Sequence, residues 1–77
     1  MSLGRKQALK RLHGLAKRVR EHLEYLANEP AAQAVSHWRQ EIRGWLEQME
    51  GVLPHVGKKT ARDWQRYIAE WHQAVGE

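Results

Sequence analysis

The sequence predicts an all-α fold, an up-down-up antiparallel three-helix bundle with helices over about residues 5–27, 30–50 and 60–75. Three observations predict it. Apolar residues recur in alternating steps of three and four along three separate stretches, which is the spacing of a helix that buries one stripe. Helix-breaking residues separate the stretches: Asn28-Glu29-Pro30, Gly51 and Pro54, then Gly76 at the end. The longest unbroken apolar run is only a few residues, so no stretch reads as a membrane-spanning helix. The 77 residues suit one domain, spanning residues 1–77.

The first helix carries Leu9, Leu12, Ala16, Val19, Leu23 and Leu26, with Leu15 widening the stripe as a bundle helix requires. Asn28 is a candidate left-handed terminator. Glu29 precedes a proline and is pushed out of the helical region. Pro30 lacks the N–H that a first turn does not need, so it suits the start of the second helix. The short link makes the two helices antiparallel neighbours.

The second helix carries Val35, Trp38, Ile42, Trp45, Met49 and Val52, flanked by Leu46 and Leu53, with Gly51 as the expected stop. In the connection, Val52, Leu53 and Val56 are expected to plug the end of the bundle. Thr60 followed three residues later by Asp63 resembles a capping box, which places the third helix start at Ala61. Lys58 and Lys59 are poorly placed for a helix dipole, and that favours the later start. The third stripe is Ala61, Trp64, Ile68, Trp71 and Val75. Trp-x-x-x-Ile-x-x-Trp therefore occurs twice, and all four tryptophans lie in these two stripes. The core is expected to pair Leu and Val of the first helix with Trp and Ile of the other two.

Charge is unevenly spread. The net charge is +4, yet residues 1–20 hold seven Lys/Arg and no acid. Lys10, Arg11, Lys17 and Arg18 recur at a seven-residue interval off the apolar stripe, extended by Arg5, Lys6 and Arg20. Such a face can neutralise phosphates or meet an acidic protein. No aromatic residue is interleaved with these charges along the first helix, which speaks against a single-strand stacking platform.

The connection Leu53-Pro54-His55-Val56-Gly57-Lys58-Lys59-Thr60-Ala61 is similar to the hairpin of helix-hairpin-helix DNA-binding motifs, with His55 standing where that pattern has its first glycine. The resemblance covers nine residues. It implies that the Gly57 and Lys58 backbone, with the Lys58 and Lys59 side chains, would hold a DNA phosphate.

Other chemistry is poorly supplied. The absence of cysteine excludes disulfides and thiolate metal sites, and fits a cytoplasmic location. The five histidines form no His-x-x-x-His pair and none follows a Glu at the Glu-x-x-His spacing, so no metal or cofactor is expected. Ser36 and His37 are adjacent, and neighbours on a helix do not face each other. The chain is therefore expected not to be an enzyme. Four indoles and two tyrosines are more than a small bundle can bury. Tyr25 and Tyr67 are the expected partner-contact aromatics, with Ala74 or Leu46 nearby in the patch. The leading expectation is a non-enzymatic module acting through protein–protein contact, as a homo-oligomer or with a larger partner. The alternative is nucleic-acid binding through the basic face of the first helix and the 53–61 loop.

Overall fold

A computed structural model describes residues 4–29, 31 and 33–76. Three helices pack against each other: α1 (Arg5–Asn28), α2 (Val35–Val52) and α3 (Lys58–Val75). A 3-10 turn over Leu53–His55 joins α2 to α3. Among the described residues there is no strand, and no helix is long and apolar enough to cross a membrane. The bundle is elongated, 41 × 22 × 15 Å, because its helices run 18 to 24 residues. At 1.5 Å per residue the longest spans about 36 Å.

The three stripes meet as their spacing requires. Leu12, Val19, Ile42, Leu46, Met49, Val56 and Val75 are the largest fully buried side chains. Each such side chain stabilises the fold by about 1.5–3 kcal/mol. Leu15 joins the core, as the widened stripe of α1 anticipates, and Val52, Leu53 and Val56 close one end. α1 and α2 share the largest interface, α3 lies on α2, and α1 touches α3 least.

The tryptophans depart from the expected core layers. Trp64 is buried, but Trp38, Trp45 and Trp71 are only half-buried. An indole is too bulky for facing layers in a bundle only 15 Å deep. Aliphatic side chains fill the centre, and the rings sit at the seams between helices. Leu46, expected in an exposed patch, is wholly buried, because it belongs to the same core cluster as Ile42 and Met49 of α2; Ala74 is exposed.

Several boundaries also differ. α2 begins at Val35, about a turn later than expected, with residues 31, 33 and 34 in turns. The expected start, Pro30, lies outside the described residues. The small and polar residues before Val35 have nothing to bury, so the helix starts where the apolar stripe does. Asn28 is not left-handed: no described non-glycine residue has positive φ. α1 ends instead through Glu29, at φ −132° and ψ 61°, whose N–H donates to the Tyr25 carbonyl at 2.9 Å. Gly51 does not stop α2, which runs on to Val52 and into the 3-10 turn. Burial of Val52 and Leu53 carries the chain through that glycine. Gly76, at φ +94°, does end α3 as a left-handed cap.

Candidate nucleic-acid interface

The up-down-up order brings the N-termini of α1 and α3 to one end, together with the connection between α2 and α3. Pro54 lies in the first turn of the 3-10 segment, and the Val56 N–H donates to the Leu53 carbonyl at 3.2 Å. Val56 is wholly buried and pins the loop to the core. Gly57 then turns the chain at φ 87° and ψ 154°, a region essentially reserved for glycine. Its carbonyl accepts from the Ala61 N–H at 2.9 Å, so α3 starts at Lys58.

This corrects the expected start at Ala61. Thr60 is the third residue of the helix, and no side chain caps its N-terminus. Lys58 and Lys59 stand in the first turn against the helix dipole, a penalty of about 0.3–1 kcal/mol each at an exposed site. The Gly57 turn and the burial of Val56 set the start despite that penalty. His55 needs no glycine-like geometry here. It closes the 3-10 turn without positive φ and is exposed.

Arg5 ties the two helix starts together. A Cβ built on Gly57 would stand 3.6 Å from Arg5 Nη2 and 3.8 Å from its Cζ, so the guanidinium lies over the loop. Two basic segments distant in sequence thereby become one surface. Arg5, Lys6, Lys10 and Arg11 come from α1, and Lys58, Lys59 and Arg62 from α3; all are exposed. Neither helix has an acid in its first turn or a side-chain cap. The acids nearest in sequence to this end are Glu47 and Glu50 on α2 and Asp63 on α3.

The four cations of the expected basic face are all exposed, but they divide. Lys10 and Lys17 are three and four residues from His13, so they share its side of α1. The His13 ring meets Trp64 of α3 edge-on at 5.3 Å. Arg11 and Arg18 lie about 100° round the helix, on the side of His22. His22 packs on Trp45 of α2 at 4.6 Å, and its Nδ1–H donates to the Arg18 carbonyl at 2.9 Å.

Tyr25 and Tyr67 are the exposed large aromatics, at 44% and 51%. The fold does not bring them together. Tyr25 lies at the α1–α2 seam, 5.0 Å from His22 and 5.6 Å from Trp38. Tyr67 stands between two indoles of its own helix. Trp64 is 5.8 Å away, edge-on, and Trp71 is stacked at 6.0 Å with the planes 24° apart.

Histidine–carboxylate pairs link the helices, which their spacing did not reveal. His22 Nε2 lies 3.8 Å from Glu41 across α1 and α2, and His37 Nε2 lies 3.1 Å from the same oxygen. His72 Nε2 lies 3.6 Å from Glu50, joining α3 to α2. Pairs this accessible are worth about 0–1 kcal/mol. Among the described residues no group of three or more His, Cys, Asp or Glu is arranged to hold a metal ion. A groove of about 620 Å³ runs between α2 and α3, lined by Leu53, Pro54, Ala61, Ile68 and Ala69 and by the polar Glu50, Lys58, Gln65 and His72.

Compared with known proteins, the chain matches no family model, no curated protein and no solved structure.

Proposed function

We propose that the protein is a small, non-enzymatic nucleic-acid-binding module that engages phosphates through its basic end. The observation that carries this reading is the placement of Arg5 over Gly57, which fuses the basic start of α1 with Lys58 and Lys59 of the hairpin. Exposed cations from two helices then gather at one end of the bundle, beside backbone N–H groups that no side chain caps. Both features favour an anion. A cytoplasmic location, expected from the cysteine-free sequence, goes with this reading.

The test is fluorescence anisotropy of a labelled 20-base-pair duplex titrated with the protein at 50 and 200 mM salt. With four to six phosphates neutralised, affinity is expected to fall by about two to three orders of magnitude across that range. Lys10→Glu with Lys58→Glu is expected to weaken binding uniformly across sequences and to flatten the salt slope. Binding that ignores both salt and these substitutions would remove the basic end from consideration.

One observation favours a second reading, protein–protein contact. The α2–α3 groove is open and combines apolar Leu53, Pro54, Ala61, Ile68 and Ala69 with Glu50 and Lys58 of opposite charge, which fits self-association with a second copy. Sedimentation velocity decides it: a monomer at every concentration ends this reading.

A further inference from the structure

We propose that the seam between α1 and α3 is a binding track for single-stranded nucleic acid, with bases stacking on α3 and phosphates following α1. This rests on the nucleic-acid reading above and adds the form of the ligand. Along α1 alone, no aromatic accompanies the basic residues. The fold supplies the missing partner from another helix.

The seam is located by His13, whose ring stands edge-on to Trp64 at 5.3 Å. Lys6, Lys10, Lys17 and Arg20 lie seven and three residues before His13 and four and seven after it. Residues at these spacings share one helix face, and all four are exposed. They form a cationic row on the side of α1 that meets α3, beginning in the basic end at Lys6 and Lys10 and continuing beyond it to Lys17 and Arg20. On the facing helix, Trp64, Tyr67 and Trp71 form a ladder with ring spacings of 5.8 and 6.0 Å. Tyr67 is 51% exposed, more than any other large apolar side chain described. A cationic row beside an accessible aromatic ring, here Tyr67 backed by the two indoles, is the combination that holds single strands without reading sequence. A duplex keeps its base faces hidden and can use only the charges.

The charge balance favours the track. Asp63 and Glu70 flank Tyr67 on α3, with Arg66 between them, and Glu21 and Glu24 stand four residues after Lys17 and Arg20 on α1. The four cations of α1 and Arg66 outnumber these four acids by one. Asp63 and Glu70 lie beside the aromatics, where bases would stack, and along α1, where the backbone would run, the four cations exceed Glu21 and Glu24 by two.

The experiment titrates the whole protein with labelled oligo-dT and oligo-U of 20 nucleotides and with a 20-base-pair duplex, at 50 mM salt, reading anisotropy and tryptophan emission. Tight binding of a single strand with quenched emission, and weaker binding of duplex without quenching, is the expected result. Preference between oligo-dT and oligo-U distinguishes DNA from RNA as the source. Tyr67→Ala is expected to weaken the single strand about 5- to 100-fold and to leave the duplex unchanged. Lys17→Glu weakens both. Circular dichroism confirms that each variant keeps its helices. Equal affinity for both forms, or a Tyr67→Ala protein that binds single strands normally, overturns the stacking track and leaves phosphate binding at the basic end intact. No binding of either form at 50 mM salt overturns both readings and turns attention to a protein partner.

Discussion

The α1–α2 interface and the α1–α3 seam are built from stripes of the same spacing, yet they finish differently. Between α1 and α2, Leu12, Val19, Ile42 and Met49 interlock and lose all contact with solvent. Between α1 and α3, the buried Trp64 meets the exposed His13, and the ladder runs outward to an open Tyr67. The residues that meet at each seam make the difference. Branched aliphatic side chains fit the narrow space between two close helices, and protein interiors reward that fit. At the α1–α3 seam the buried Trp64 closes against His13, and the aromatic surface beyond it stays accessible at Tyr67. One seam thus holds the fold together, and the other leaves an unsatisfied surface.

The sharpest way to break this comparison is to empty the tight seam. Leu12→Ala removes a wholly buried side chain at the centre of α1. It is expected to destabilise the protein by about 2–5 kcal/mol, read as a lower urea midpoint at unchanged slope. In a chain of this size that loss is a large share of the total, so Ile42→Val, at about 0.5–1.5 kcal/mol, supplies the measurable companion. A loss below about 0.5 kcal/mol for Leu12→Ala would mean that α1 and α2 are not the tight pair.

The next effect tests what holds α3 in place. Gly57 sits at φ 87° and ψ 154°, where an L side chain is strained whatever space surrounds it. Gly57→Ala is expected to cost about 1–3 kcal/mol. The strain falls on the turn into α3 and spares the α1–α2 pair, so Trp64 at the α1–α3 seam should respond before the rest of the fold. A red shift of tryptophan emission with the helical circular dichroism retained would show this. A variant as stable as the parent would mean that the hairpin relaxes freely and does not set the approach of α3.

These two sites also mark what was legible in the sequence. The core stripes could be read, because burial of one helix face leaves a period that needs no partner to be visible. The plugging role of Val52, Leu53 and Val56 was equally legible. The start of α3 was not: capping chemistry pointed to Thr60, and the turn at Gly57, backed by a buried Val56, won. The long run of α2 through Gly51 was missed for a related reason, since a glycine stops a helix only if nothing beyond it is drawn into the core. Lys10, Lys17 and Tyr67 could each be picked out as exposed. The contact of their two helices could not, because His13 and Trp64 are 51 positions apart in the chain and only packing joins them.

The smallest effect sharpens the comparison from the other side. Tyr67 stacks on Trp71 at 6.0 Å but is half open to solvent. Tyr67→Ala is therefore expected to change stability by only about 0.5 kcal/mol, the low end for an aromatic pair. Set beside Leu12→Ala, this separates the two seams by what they do: the larger side chain contributes less to folding because its surface is not buried. If thermal melts instead show a loss of about 2 kcal/mol or more, of the size found for core truncations, Tyr67 is part of the structure that holds α3. Its exposure would then be no sign of a ligand. If the loss is small while single-strand affinity falls, the same ring is dispensable for the fold and needed for binding, which is the distinction the two seams imply.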